Sequence, residues 1–465
     1  MTFLMTFFLN KLNKKSNTTV LFTGIYRDKF NLLIVLFYDN DHNLYRKSLI
    51  LFLKFNLQTI LIMSNETATK YSAQFDGARG FLRFSIFILH LHFVYVKVPT
   101  IIANFTLHCF FLASGYLITS ILLRSKDKAA NFKQFFWLYY VKRILRIFPV
   151  YFLYIFVFLS IAILTKLILK HDFLGIILEF KQYGIFLVTF TYNFKDLIAI
   201  HLHRDTLLAS PMFGHLWSIS MEEQFYIIIP FLVYFFSAKN LKRLSVFMIL
   251  LFPVIRIGGY LYLKTVTTDN MQIGFSMIRC SIFQFDTFFY GILAALIPYK
   301  KLSTIRRIFY VSVLLLVLID CFNLYRVQSM FGIPFYKMIS RYDFYAISGA
   351  AMYMDILLNI CCFSFLILVF ESPNEFRLLL NRHLVEYGKF SYGAYVYQYI
   401  FIVATYYILY ESLKNNLPLF AVEIICTIFC LSSLIIFSKY SFYYMELFFM
   451  NQKNKLLKTL HLAQT

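Results

Sequence analysis

Residues 148–170 read FPVYFLYIFVFLSIAILTKLILK, a run in which only Lys166 and Lys170 are charged. A helix of about 20 apolar residues is long enough to cross the hydrocarbon core of a bilayer. Comparable runs occupy residues 217–236 and 306–325. The strands of a membrane β-barrel would instead be short segments that alternate polar and apolar residues. The sequence therefore predicts an all-α, polytopic transmembrane helical bundle.

The composition of the whole chain agrees with a membrane protein. Its 465 residues are 60% hydrophobic and 15% charged, whereas about a quarter of a soluble protein is charged. The net charge of +22 could suggest nucleic-acid binding. Much of the basic charge, however, lies between apolar runs, where the positive-inside rule accounts for it. We therefore expect membrane lipids as partners, and no nucleic acid.

The apolar runs also predict a topology. The basic linker 124–146 and the basic tail 451–465 should both face the cytoplasm of a plasma (inner) membrane. Two cytoplasmic termini require an even number of spans, and segment 174–193 is the weakest because it contains Glu179 and Lys181. We therefore predict about ten spans. The eleven segments considered lie at about 79–98, 104–123, 148–170, 174–193, 217–236, 243–263, 282–299, 306–323, 348–370, 394–412 and 417–440.

The N-terminal region differs from the rest of the chain. Its only long apolar segment, residues 48–63, is short for a span and contains Lys54. It also lacks the small-residue cleavage site of a signal peptide. Met63 is followed by SNETATKYSAQFDG, which has the character of a cytosolic N-terminus ahead of a first span. We predict an atypical extension with an over-extended start, a membrane domain and a basic cytosolic tail, at residues 1–63, 64–450 and 451–465.

The stretch FDGARGFLRFSIFILH, residues 75–90, places basic residues in an apolar segment. On a helix, the spacings from Arg79 and from Arg83 to His90 are both within about 20° of whole turns, so the three share a face. His90 would lie about 16 Å above Arg79, near the middle of the membrane. Ionisable groups there are candidates for function, although headgroup contact and a buried hydrogen bond would also account for them. His92 points to the opposite side and is read as structural.

The stretch HLWSISMEEQFYIIIP contains two adjacent acids, Glu222 and Glu223, at the start of a span. Glu223 and Tyr226 are three residues apart and can share a helical face. Trp217 would point about 120° away from Glu223 on a continuous helix, so it could join them only if the helix begins after it. A glutamate beside a histidine could orient a general base. Acids near the positive end of a helix are the simpler alternative.

Two further motifs have a functional and a structural interpretation. Arg143 and Arg146, in VKRILRIFPVY, lie on one helical face and suit a phosphate ligand or anionic lipid headgroups, which are the commoner case. Ser114 and Gly115, in FFLASGYLITS, allow close approach of a ligand or, more commonly, of another helix. The seven cysteines are scattered without zinc spacing. No metal site is predicted.

Taken in order, the motifs FDGARG…H, FFLASGYLIT, KRILRIFPVY, HLWSISMEEQFY, FDTFFYGILAAL and YGKFSYGAYVY resemble those of the acyltransferase-3 family of integral-membrane acyltransferases. The resemblance covers residues 75 to about 446. The family's arginine–histidine, arginine–arginine and SxEEQFY patterns fall on Arg79 and His90, on Arg143 and Arg146, and on Ser220 to Tyr226.

This resemblance implies transfer of an acyl group, usually acetyl, from cytosolic acyl-CoA as co-substrate. The acceptor would be a hydroxyl of a cell-envelope carbohydrate or lipid-linked sugar, and no metal or redox cofactor is required. His90 would be the general base, or a relay for the acyl group, and Glu223 would orient it. The expected catalytic residues are His90, Glu223 and Arg79. The expected donor-binding residues are Arg79, Arg143, Arg146 and Ser114. The expected acceptor-binding residues are Trp217, Glu222 and Tyr226.

Two positions depart from the family pattern. Gln284 stands where many members have an arginine two residues before the aspartate that is Asp286 here. Gln398 stands where many have a histidine, and a neutral amide cannot perform acid–base chemistry. Two other functions therefore remain open. One is a transporter in which Arg79 and His90 form a relay, and the other is an inactive scaffold of the same fold.

Overall fold

The computed structural model describes residues 20–22, 35–37, 73–91, 99–202, 212–297, 301–332, 346–371 and 376–459. The chain divides into two compact units, Met1–Tyr71 and Ser72–Thr465. In the first unit, strands β1 and β2, at Val20–Phe22 and Val35–Phe37, pair antiparallel. The remainder of the predicted extension 1–63 lies outside the described residues, as does His92, so both interpretations stay predictions.

The described part of the second unit is built from helices joined by turns, which confirms the all-α prediction for this unit. In chain order, helices α1 to α9 are Ala73–Leu89, Thr100–Lys126, Phe132–Leu169, Ile176–Val188, Lys195–His201, Trp217–Phe235, Ala238–Val266, Asn270–Arg279 and Ser281–Gln284. Helices α10 to α18 are Asp286–Leu296, Leu302–Phe331, Met354–Glu371, Arg382–Lys389, Ser391–Thr405, Glu411–Leu413, Leu419–Ser441, Leu447–Asn451 and Lys453–Thr459. Short 3₁₀ turns, among them Gly214–Leu216 before α6, connect several of them.

Within the described residues, six helical stretches are long and apolar enough to cross a membrane. They are α2, α3, α7, α11, α12 and the continuous stretch Leu419–Leu457. Helix α4 has 13 residues, which cover about 20 Å and fall short of the roughly 30 Å hydrocarbon core. It corresponds to segment 174–193, the weakest of the segments considered. The total of about ten spans stays a prediction.

The linker predicted at 124–146 is largely helical, so the helix that contains the predicted span 148–170 begins well before that span. Helix α3 begins at Phe132, where the Asn131 side chain accepts a hydrogen bond from the Gln134 amide at 2.9 Å. Lysine and arginine are good helix formers, and a basic run therefore marks the membrane border without ending the helix. The consequence is that the linker's arginines lie on a rigid helix.

Helices α2 and α10 approach closely through two glycines. A Cβ atom on Gly115 would lie 2.5 Å from the Phe288 carbonyl oxygen, and one on Gly291 would collide with the Leu112 carbonyl. Small residues allow such backbone contact between membrane helices. The helix-packing interpretation of Gly115 is therefore confirmed.

The segment predicted as a single span at 282–299 is divided in the structure between α9 and α10, and its crossing of the membrane stays a prediction. Arg256, on α7, donates to the Phe283 carbonyl from Nε at 3.0 Å and from Nη2 at 2.8 Å. This carbonyl is bound to a side chain at the point where α9 ends. The break follows from a contact with a distant helix, which the local apolar pattern does not reveal.

Candidate active site

Five helices of the second unit, α1, α2, α3, α6 and α14, surround a cavity rich in charged side chains, which we call the arginine cavity. Helix α14 contributes Ser391 and Tyr392 to its lining. Its charged and hydroxyl-bearing lining from the other four helices consists of Arg79 and Arg83 on α1, Ser114 on α2, Arg143 and Arg146 on α3, and Glu222, Glu223 and Tyr226 on α6. The cavity measures about 60 Å³, well below the roughly 300–1,000 Å³ typical of sites for whole drug-sized ligands. It has room for one small charged group of a larger molecule.

Local helical spacing accounts for how each helix contributes to this cavity. Arg79 and Arg83 are four residues apart, Arg143 and Arg146 are three apart, and both spacings place side chains on one face. Seven of the nine predicted site residues line the cavity. They are Arg79, Ser114, Arg143, Arg146, Glu222, Glu223 and Tyr226.

Three of the four arginines have no carboxylate ion pair with any described residue. The Arg83 guanidinium lies 3.4 Å from the ring centre of Phe110, and its buried Nε has no hydrogen-bond partner in the described part of the chain. Arg143 lies 4.3 Å above the Tyr226 ring. Neither a hydrogen bond nor an ion pair joins Arg146 to another described residue. Aromatic faces attract these cations but do not neutralise them.

The acidic side of the cavity contains a short chain of hydroxyl groups. Tyr226 donates to Ser114 at 3.4 Å, and Ser114 donates to the Glu222 carboxylate at 3.0 Å. Glu223 is 7% exposed, and its Oε1 has no hydrogen-bond partner among the described residues. Arg79 pairs with Asp76 at 3.5 Å. Four arginines therefore lie near the carboxylates of Asp76, Glu222 and Glu223, and a fourth buried carboxylate, that of Glu446, interacts electrostatically with Arg146.

His90 lies outside the residues that line this cavity. Helix α1 ends at Leu89, and His90 occupies the turn that follows. Its Nδ1 is 2.8 Å from the Ile86 carbonyl oxygen, and its ring centre is 5.4 Å from that of Tyr399. The prediction that Arg79 and Arg83 share a face holds, but the structure does not extend the cavity to His90. Glu223 lines the cavity, away from the place predicted for it beside His90.

Comparison with known proteins decides the family. A family model described as an acyltransferase domain, Acyl_transf_3, matches residues 72–437. The chain belongs to the acyltransferase-3 family. The match includes every helix that lines the arginine cavity, and the six apolar stretches agree with a multi-pass membrane protein.

Two relatives of this chain come from Staphylococcus aureus. Both are named O-acetyltransferase OatA, from strains NCTC 8325 and COL, and each is 24% identical over 374 residues. The alignment covers 77% of this chain and 55% of either relative, so the chain spans about half the length of the relatives it matches. No solved structure matches the chain.

Trp217 was predicted to bind the acceptor, and the structure places it outside the lining of the arginine cavity. Helix α6 begins at Trp217 and runs unbroken through Glu223, so the indole points away from the glutamate, as expected on a continuous helix. Its ring packs edge-on against Phe111, with centres 6.2 Å apart. It is not part of the cavity lining.

Sequence reasoning left Arg83 unassigned, yet this residue lines the cavity. The four-residue spacing from Arg79 was the signal that identified it, because α1 presents both side chains on one face. The family pattern does not include Arg83. In the structure its guanidinium lies between the rings of Phe110 and Tyr395, and these contacts between helices cannot be read from the sequence.

The two departures from the family pattern have different surroundings. Gln284 donates to the Asp355 carboxylate at 2.8 Å and to the Met277 carbonyl at 2.9 Å. Asp286 forms an ion pair with Arg256, whose Nη2 lies 2.8 Å from the Asp286 Oδ1. Gln398 is 1% exposed, and its Nε2 has no hydrogen-bond partner in the described ranges. The first amide is part of a buried network, whereas the second is not.

Proposed function

We propose that this protein is a membrane O-acyltransferase. It transfers an acyl group, acetyl by preference, from cytosolic acyl-CoA to a hydroxyl of a cell-envelope carbohydrate or lipid-linked sugar. The relatives' name, O-acetyltransferase, supports this reaction class. In this proposal the protein lies in the plasma membrane with both termini in the cytoplasm.

The observation that carries the proposal is the set of three cavity arginines that make no ion-pair contact with a described carboxylate. Buried charges in proteins are normally paired, and arginines without carboxylate partners suit a multiply charged phosphate ligand, which they bind through charge-assisted hydrogen bonds. Arg143 and Arg146 would bind phosphates of CoA, with Arg79 and Arg83 deeper along α1. Because the cavity is small, it would receive one group of the donor at a time.

His90 would act as the general base. A carbonyl oxygen only accepts hydrogen bonds, so the Ile86 contact requires the proton of the neutral imidazole on Nδ1. The lone pair is then on Nε2. Nε2 takes the proton of the acceptor hydroxyl as its oxygen attacks the thioester carbonyl. The new C–O bond forms, the C–S bond breaks, and CoA leaves as its thiolate.

The experiment uses the full chain purified in lipid nanodiscs with acetyl-CoA labelled in the acetyl group. We expect CoA release and transfer of label to an envelope-glycan fraction, and we expect His90→Ala to lower both by about 100-fold or more, as for loss of a general base. His201→Ala is the matched control, because His201 is exposed and its ring stacks on Tyr262. Movement of a sugar across the bilayer with no CoA release would contradict the proposal.

A further inference from the structure

We infer that an exposed surface beside helix α1 binds the anionic phospholipids of the membrane and thereby restrains that helix. The surface lies on the 3₁₀ turn Arg377–Leu380 and the start of α13. We call it the basic leucine turn, and it consists of Arg377, Leu378, Leu380 and Arg382. It is outside the lining of the arginine cavity, and the inference does not depend on the proposed reaction.

Neighbouring helices place the basic leucine turn at a border of the membrane. The turn follows α12, one of the six apolar stretches, which ends at Glu371. Close to that end, the Phe370 ring stacks on Phe75 near the start of α1, with ring centres 5.3 Å apart. The turn therefore lies where α12 ends and α1 begins, at the level of the lipid headgroups.

Backbone packing holds this segment firmly against α1. A Cβ atom on Gly77 of α1 would collide with the Leu379 carbonyl oxygen. A Cβ atom on Gly388 of α13 would likewise collide with the Asp76 carbonyl oxygen. Backbones that pack this closely leave little room for relative movement. A molecule that binds the turn therefore also holds the start of α1.

Two leucines project from the turn, although the leucine between them is buried. Leu378 is 85% exposed and Leu380 is 46% exposed, whereas Leu379 is 6% exposed. Among the large apolar side chains of the described residues, Leu378 has the highest exposed fraction. Contact of apolar surface with water is unfavourable, and the boundary between headgroups and acyl chains removes it.

Two arginines flank these leucines. Arg377 and Arg382 are exposed, and neither side chain has a hydrogen bond or an ion pair with another residue in the described ranges. Glu386, four residues beyond Arg382, attracts it but forms its ion pair with Lys439 at 2.6 Å. Guanidinium groups bind phosphate oxygens through paired hydrogen bonds. Basic residues beside exposed apolar ones are typical of surfaces that bind anionic membranes.

Lipid binding at the turn reaches the arginine cavity through α1. This helix contributes Arg79 and Arg83 to the cavity lining. Each basic side chain near an anionic surface strengthens association by about fivefold. Two arginines therefore give a preference for anionic over zwitterionic lipid of up to about 30-fold, and the bound lipid restrains the first turns of α1.

Hydrogen exchange, followed by mass spectrometry, tests the inference without an assay of activity. The full-length protein is placed in nanodiscs of phosphatidylcholine, or of phosphatidylcholine and phosphatidylglycerol in equal parts. Amides of Arg382–Lys389 and of residues 73–83 should exchange at least about fivefold more slowly in the discs that contain phosphatidylglycerol. In Arg377→Gln/Arg382→Gln this difference should fall to within about 2-fold, because the anionic lipid loses both cations.

Two further variants separate the apolar and basic contributions. Leu378→Ser should speed exchange of the same amides in both kinds of disc, because both lipids provide acyl chains. Lys242→Gln/Arg243→Gln is the matched control, since both residues are exposed at the start of α7. Lys126, at the end of α2, donates to the Val233 carbonyl at 3.0 Å, which places the start of α7 near the same border. This control should keep the wild-type difference between the two lipids.

Three results would overturn the inference. The first is equal exchange of the wild-type protein in the two kinds of disc, and the second is a double arginine variant that keeps the full difference. The third is slower exchange of Arg382–Lys389 without any change in α1, which would contradict the restraint of that helix. Protection that depends on protein concentration in detergent, and not on phosphatidylglycerol, would assign the surface to a second copy of the chain and likewise overturn it. Because none of these results involves acyl transfer, each is independent of the proposed function.

Discussion

Two buried groups of charged side chains in the second unit differ in how their charges are paired. In the arginine cavity, three arginines lack carboxylate ion pairs among the described residues. Around Arg256, which is 0% exposed, charges are closely paired. Its guanidinium bonds Asp286 at 2.8 Å and Asp355 at 3.1 Å, and His108 lies 3.5 Å from Asp355. Asn359 completes this Arg256 cluster by donating to Asp286 at 3.2 Å.

The difference indicates which group serves the fold and which serves a ligand. A buried charge with its partner inside the protein holds helices together, and losing either member leaves the other uncompensated. A buried charge that makes no such ion pair is available to bind a ligand of opposite charge. The Arg256 cluster joins α2, α7, α10 and α12, whereas the arginine cavity lies between α1, α2, α3, α6 and α14.

The largest expected effect is on stability, from breaking the paired group. Arg256→Met leaves Asp286 and Asp355 buried without their cation, and we expect it to lower the free energy of unfolding by about 3–5 kcal/mol. Denaturant titration in detergent, followed by tryptophan fluorescence, measures the change. Arg243→Met is the matched control, because Arg243 is an exposed arginine on the same helix. A variant as stable as this control would contradict the structural role of the cluster.

The next effect should be on binding, from the unpaired group. Arg146→Gln removes a cation that makes no ion-pair contact with a described carboxylate and interacts with Glu446 only at longer range, so we expect little change in stability. KM for acyl-CoA should rise about 10- to 100-fold, corresponding to the loss of a charge-assisted hydrogen bond of about 1.5–3 kcal/mol. Steady-state kinetics over a range of acyl-CoA concentrations measures it, with exposed Arg124→Gln as control. Lower stability with unchanged KM would show that Arg146 belongs with the paired charges.

The smallest effect should come from an ion pair that is exposed. Lys439 lies 2.6 Å from Glu386, and their side chains are 47% and 39% exposed. The hydrogen bond from Lys439 lowers the pKa of Glu386. This stabilisation is therefore complete above the ordinary carboxyl pKa of about 4.3 and is lost as the pH falls through the lowered value.

Glu386→Gln tests this exposed pair. Exposed pairs contribute about 0.2–1 kcal/mol, so the variant should be less stable than wild type by about that amount at pH 7. The difference should shrink toward zero near pH 3. Paired unfolding curves at the two pH values measure it. A loss of unfolding free energy as large as that expected for Arg256→Met would mean that an exposed ion pair stabilises the protein as much as a buried one, which would contradict this prediction.

The sequence predicts what depends on neighbours along one helix. Apolar runs located most helices, and spacings of three or four residues brought Arg143 and Arg146, and Glu223 and Tyr226, onto shared faces. The limits of the helices were predicted less accurately than their existence. The basic residues of α3 mark a membrane border, but they also form helix, so α3 begins at Phe132, well before the apolar run. The direction of the Trp217 side chain depends on where α6 begins. Because α6 is continuous from Trp217 through Glu223, the indole points away from the glutamate.

Contacts between distant segments were beyond local reasoning. The bond from Arg256 to the Phe283 carbonyl, which accompanies the break between α9 and α10, joins residues on different helices. The same is true of Tyr395 and His215, which are 180 positions apart. Neither apolar periodicity nor motif spacing contains the relative placement of helices that creates such contacts.

The ring stack of Tyr395, His215 and Tyr399 has a consequence for the membrane itself. These rings fill the route from the arginine cavity to His90, with centres 5.4 Å and 4.8 Å apart. A narrow, largely apolar constriction resists wetting and the passage of ions. In the proposed function, such a stack of rings would limit the leak of ions across the membrane during acyl transfer.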